Sequence, residues 1–146
     1  MIYVIDASVA CRFLLIEELS EKAELVLESF LEGKCDLKAP KLIIYEAGNA
    51  LWKAANQGLI EPEEAVEKLS YLVKLKIDSI ELDERMHKNI LMWSIKNNAT
   101  YYDGAYVISS KTLGAPLLTA DNTLYEKASK EVPTLHLREW CTNTPA

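Results

Sequence analysis

Ile2-Tyr3-Val4-Ile5-Asp6 sets four consecutive apolar side chains against a closing carboxylate. A run without alternation suits a strand buried on both faces, the environment of a parallel sheet covered by helices. An acid at the end of such a strand is costly unless a cation or hydrogen bonds compensate it. In open parallel sheets, ligands gather outside the carboxyl ends of the strands. Asp6 is therefore both a marker of the fold and the first candidate for chemistry.

Helical periodicity follows the strand at once. Ser20 reads as the N-cap of a helix reaching about Glu32, with Ala23, Leu27, Phe30 and Leu31 on one stripe and Gly33 as its stop. A short strand at Leu37 to Ala39 meets Pro40. From Lys41 to Gln57 the apolar residues recur at helical spacing, and Gly58 ends them. Pro62 fits the first turn of a helix to about Lys74. Ile77 to Leu82 reads as a strand and Asp83 as the cap of a helix closed by Asn97 and Asn98. Thr100 opens another helix to about Thr112, Leu117 to Thr119 is a brief strand, Asp121 caps a helix to about Lys130, and a last strand lies near Thr134 to Leu137. Short strands alternating with helices predict an α/β fold, a three-layer α/β/α sandwich, as one domain over residues 1–146.

Composition narrows the function classes. The chain has 146 residues, 49% of them hydrophobic and 26% charged, with a net charge of −6. That balance is globular and excludes disorder. Asp6 interrupts the first apolar run before it reaches signal-peptide length, and no stretch approaches the ~20 apolar residues of a membrane span. A cytoplasmic protein without membrane contact is expected. Cys11, Cys35 and Cys141 lack the spacing of a zinc or thiol-redox motif. The negative charge argues against non-specific nucleic-acid binding. It does not argue against a nuclease, because cations held by carboxylates reverse the field that a phosphate meets.

Three further acids join Asp6. Asp121 lies just beyond the strand Leu117 to Thr119, at the same rim, and is also a natural N-cap. Glu46 and Asn49 share a helical face that continues to Lys53 and Asn56, a pattern equally suited to the solvated side of an amphipathic helix. Asp103 stands in Thr100-Tyr101-Tyr102-Asp103, which has capping-box spacing. Each acid alone has a structural explanation. Two acids at strand ends and two in flanking helices together make an oxygen-rich site suited to Mg2+ or Mn2+, with no histidine cluster to suggest zinc. Phosphodiester hydrolysis is the reaction that such a site performs.

The ordered set Asp6-Ala7-Ser8, Glu46 with Asn49, Tyr102-Asp103-Gly104-Ala105-Tyr106 and Thr119-Ala120-Asp121 resembles the PIN-domain nucleases, especially VapC-type toxins. The resemblance spans nearly the whole chain. It implies a five-stranded parallel sheet, a homodimer, and magnesium- or manganese-dependent endonuclease activity on RNA. It also implies an antitoxin that wraps the nuclease and occupies its active-site groove. Carried over by motif, Asp6 and Asp103 are metal ligands, Asp121 a ligand directly or through water, and Glu46 a ligand or a water-orienting base. Ser8, Asn49 and Thr119 are the supporting polar residues. Gly104 departs from the larger residue expected after the third acid.

Other readings fit less well. A haloacid-dehalogenase-like phosphatase needs a second acid two positions after the first, and Ser8 stands there. No glycine-rich phosphate loop follows a strand, so a nucleotide-binding protein is unsupported. A non-catalytic binding module built on the same fold could present Trp52, Trp93 or Trp140 to a partner, although tryptophans are more commonly core or dimer-interface residues. Four intact acids favour catalysis over that module.

Overall fold

The computed structural model describes residues 1–141. Five strands form one all-parallel sheet in the order β3-β2-β1-β4-β5, with β1 at Ile2–Ile5, β2 at Asp36–Pro40, β3 at Asp78–Ile80, β4 at Leu117–Thr119 and β5 at Thr134–His136. The helices are α1 (Ala7–Leu14), α2 (Ser20–Leu31), α3 (Leu42–Asn56), α4 (Pro62–Lys74), α5 (Glu84–Lys96), α6 (Tyr101–Leu113) and α7 (Asn122–Ala128), followed by a 3-10 turn at Leu137–Glu139. Right-handed crossovers send the chain from β1 outward to β3 with α1 to α4 on one face. It then returns to β4 and β5 with α5 to α7 on the other. The contacts agree: α1, α3 and α4 pack together, as do α5 and α6. Among the described residues no helix is long and apolar enough to cross a membrane.

β1 is central and carries the burial its sequence predicts. Val4 and Ile5 are inaccessible to solvent, as are Leu117 and Leu118 in the neighbouring β4. The register pairs Val4 with Leu117 and Ile5 with Leu118. Between these two strands the connections run in opposite directions, so the carboxyl ends of β1 and β4 leave the crevice where ligands of such sheets bind.

Two readings of the sequence need correction. The helical signal after β1 is a separate helix, α1, capped by Asp6 itself through a bond from the Val9 amide. Ser20 is the first residue of α2 and not its N-cap; the cap is Leu19, held in the left-handed region at φ 70°. The Ser20 hydroxyl is used in the preceding loop, where it accepts from the Glu17 amide and donates to the Leu15 carbonyl. The last helix and strand are also shorter than predicted, ending at Ala128 and His136.

Gly104 has a packing reason. A Cβ there would lie 2.2 Å from Ser94 Oγ and 3.1 Å from both the carbonyl oxygen and a side-chain methyl of Ile90. The buried Ser94 hydroxyl lies 2.7 Å from the Ile90 carbonyl and 3.1 Å from the Thr100 carbonyl. α5 and α6 thus approach closely at a point where this chain has no room for a larger residue. Of the tryptophans, Trp93 and Trp140 are core residues while Trp52 is exposed.

Candidate active site

Asp6 is the structural centre of the crevice. It is 4% exposed, and both carboxylate oxygens are engaged. Oδ1 accepts from Ser8 Oγ at 2.6 Å and from the Val9 amide at 3.3 Å, and Oδ2 accepts from Thr119 Oγ1 at 2.7 Å. Each hydroxyl is itself anchored to the loop leaving β4. Ser8 Oγ accepts from the Ala120 amide at 2.8 Å, and Thr119 Oγ1 accepts from the Asp121 amide at 3.0 Å. Ser8 and Thr119 therefore staple the end of β1 to the end of β4 through one carboxylate. Burial pushes the Asp6 carboxyl up to about 6; the three donors oppose that rise, and the charge of Asp121 adds to it.

Asp121 caps α7 by accepting from the Leu124 amide at 2.9 Å, and it stands exposed at the rim. Asp103 lies in the first turn of α6, where its amide donates to Thr100 Oγ1 at 3.0 Å. The cap is therefore Thr100, and the half-buried Asp103 carboxylate lies within the field of Asp121 and Glu46. Its pKa is raised, first by burial, then by the charges of Asp121 and Glu46, with Thr100 and Lys127 in partial opposition. The four acids thus share one electrostatic field: Asp121 acts on Asp6, and Asp121 and Glu46 act on Asp103.

Glu46 is positioned by a residue to which the sequence assigned no role. Tyr106, 1% exposed, donates its hydroxyl to Glu46 Oε1 at 2.7 Å. Burial and that carboxylate raise the phenol pKa, so the group remains a donor. The available signal was spacing, since Tyr106 follows Asp103 by three residues on one face of α6. Asn49 lines the same groove as Ser8 and Glu46, a cavity of about 820 Å3 between α1, α3 and α4. Among the described residues it makes no hydrogen bond to the acids.

Among the described residues no three Asp, Glu, His or Cys side chains close into a ready coordination cage. The donor set nevertheless fits a hard divalent cation. All four groups are carboxylates, and Asp121 raises the pKa of both Asp6 and Asp103, a repulsion that positive charge among the three would relieve. Magnesium commonly binds through one or two carboxylates and keeps several waters, so an open arrangement suits it. Zinc fits less well: Cys11 lines the groove near Glu46, but burial pushes its thiol up to about 12, away from the thiolate that zinc prefers.

No family model matches the chain. Ribonuclease VapC3 of Pyrobaculum aerophilum is 35% identical over 128 residues, covering 85% of this chain and 92% of that protein. The chain belongs to the VapC-type PIN-domain ribonucleases. A second VapC relative, Exonuclease VapC9 of the same organism, is 35% identical over 100 residues, or 66% of this chain and 72% of that protein. Solved structures show the same fold at lower identity. PAE2754 from Pyrobaculum aerophilum superimposes with a TM-score of 0.72 at 23% identity, over 93% of this chain and 89% of its own. FitAcB from Neisseria gonorrhoeae does so at 0.66 and 16%, over 96% of this chain and all of its own. With VapC membership, the nuclease assignment no longer rests on the acids alone, and the phosphatase reading is not favoured.

Proposed function

We propose that the chain is a single-domain, magnesium- or manganese-dependent endoribonuclease acting as the toxin of a toxin–antitoxin pair. The observation that carries this reading is the convergence of Asp6, Glu46, Asp103 and Asp121 on the crevice between β1 and β4 in a chain of VapC ancestry. Asp6, Asp103 and Asp121 would hold the cation, with Glu46 as a further ligand or as the group that orients water. Bound there, the cation supplies charge that stabilises the attacked phosphate and makes water a better nucleophile.

The protein's own residues do the positioning. Ser8 and Thr119 fix both oxygens of Asp6, so the carboxylate needs no reorganisation when RNA arrives. Tyr106 holds one Glu46 oxygen and leaves the other to accept a proton or a water. The groove beside Ser8, Glu46 and Asn49 gives the strand, or an inhibiting antitoxin segment, a path to the acids.

A homodimer acting in the cytoplasm completes the proposal. Its support is exposed apolar surface: Tyr45 and Trp52 stand on one face of α3, and Leu91, Met92 and Ile95 are exposed on α5. The deciding test is cleavage of a structured RNA mixture by wild type and Asp6→Asn, each with EDTA, magnesium or manganese. Cleavage by wild type with metal alone is expected. Equal cleavage by Asp6→Asn overturns the site.

A further inference from the structure

The chain has three arginines, Arg12, Arg85 and Arg138, against a net charge of −6. Two of them are anchored to residues adjoining catalytic-site acids. Arg12 donates from Nη1 to the Ser8 carbonyl at 2.8 Å and from Nε to the Glu18 carbonyl at 2.7 Å. Ser8 is the residue whose hydroxyl sits on Asp6. Arg138 donates from Nη1 to Asn122 Oδ1 at 3.2 Å and lies over the Tyr125 ring, 5.2 Å from its centroid. Asn122 directly follows Asp121. The two elements carrying these arginines are linked, because α2, which follows the loop that Arg12 holds, packs against the 3-10 turn that carries Arg138.

The arginines are fixed but not neutralised. Among the described residues no carboxylate lies within ion-pair distance of either guanidinium. A guanidinium has five N–H donors, so Arg12 keeps three free and Arg138 four. Asn122 Oδ1 is held from its other side by His136 Nε2 at 2.8 Å, while His136 Nδ1 accepts from the Arg138 amide at 3.1 Å. Glu139, next to Arg138 in sequence, accepts from the His136 amide at 3.1 Å. Buried His136 lies in the field of both arginines: burial and Arg138 lower its pKa, Arg12 lowers it further, and Glu139 and Asp121 oppose them.

We infer that Arg12 and Arg138 form a phosphate clamp for RNA, gripping backbone phosphates of nucleotides that leave the acid crevice, Arg12 from the wall of the α1–α3–α4 groove and Arg138 from the 3-10 turn after β5. The inference rests on the ribonuclease reading and adds where the substrate is held. Pre-anchored guanidinium groups lose little freedom on binding, and their fork matches phosphate oxygens in pairs. An acidic protein needs such a local feature, because its overall charge repels the polyanion.

The test is steady-state cleavage of a single-stranded RNA of mixed sequence at fixed magnesium over a range of potassium chloride. Arg12→Gln and Arg138→Gln each raise KM several-fold with kcat little changed. Each makes the dependence of log(1/KM) on log salt shallower by about 0.7, the value for one phosphate contact on a single strand. Arg138→Lys keeps most of the wild-type slope, because it keeps the charge. Arg85→Gln, on α5 and without such anchoring bonds among the described residues, leaves KM and slope at wild-type values. Wild-type KM and slope in both Arg12→Gln and Arg138→Gln overturn the clamp while leaving the nuclease intact. A wild type that cuts no RNA with either metal overturns the ribonuclease reading and the clamp with it.

Discussion

Asp6 has two jobs that pull in opposite directions. As a buried carboxylate it is destabilising when charged, and as the N-cap of α1 and the receiver of two hydroxyls it organises the crevice. Its carboxyl is raised from 3.8 to about 6, so the folded, metal-free chain holds this proton more tightly than the unfolded chain does. The stability contribution of Asp6 is therefore highest below pH 4, falls as pH rises to about 6, and stays low above that, by roughly 3 kcal/mol in all. Urea unfolding in EDTA between pH 4 and 7 reads this as a wild-type slope that Asp6→Asn reduces. At pH 7 the variant's thermal transition is expected to equal or exceed that of the metal-free wild type. Tyr106→Phe tests the other positioned acid. Losing the bond to Glu46 costs about 1 kcal/mol of stability, and kcat falls about tenfold with KM little changed, as single-turnover and steady-state rates together show. The acids themselves were readable because each stands at a strand end or a helix face. Tyr106 was hidden, since a tyrosine three residues from an acid is ordinary helix composition until the tertiary partner is known.

Helix boundaries show where local signals compete with packing. Asp83, Thr100 and Asp121 each cap the helix that the sequence assigns them, through bonds to the Met86, Asp103 and Leu124 amides. Ser20 has the same chemistry, but the loop behind it recruits its hydroxyl, and Leu19 takes the cap position without a side-chain bond. No propensity for leucine at φ 70° could have indicated that. At α6 the two interpretations of Asp103 now separate cleanly. Thr100→Ala is expected to lose about 1 kcal/mol of stability with or without magnesium. Asp103→Ala keeps the cap bond and instead loses the stabilisation that magnesium brings, which thermal shifts across a metal titration measure. The α5–α6 crossing makes a further demand. Gly104→Ala overpacks the contact with Ser94 and Ile90 and is expected to cost about 1–3 kcal/mol in urea unfolding. Adding Ser94→Ala recovers only part of that loss, because the Ile90 carbonyl still crowds the new methyl.

For the molecule as a whole, sheet order and chemistry are one arrangement. The apolar run of β1 foretold a central strand, and the alternation of strands and helices foretold a parallel sheet. The order β3-β2-β1-β4-β5 followed from neither, because strand neighbours depend on long-range pairing that no local pattern encodes. It is that order which brings Asp6 beside Thr119 and Asp121, with Glu46 and Asp103 delivered from helices on opposite faces. Part of the charge distribution was likewise invisible to the sequence: a total of −6 conceals two arginines that, among the described residues, have no ion-pair partner and are bonded beside Asp6 and Asp121.

The stitch between Asp6 and Thr119 joins residues 113 positions apart. During synthesis, β1 emerges from the ribosome long before the strand that completes its rim. Until Leu117 to Asp121 has been made and docked, Asp6 lacks the Thr119 donor and the neighbouring acid, and the crevice has only one wall. A nuclease that acts on RNA is made beside the largest store of RNA in the cell. In this fold, connectivity itself leaves the proposed site short of Thr119 and Asp121 in every chain that stops before the fourth strand.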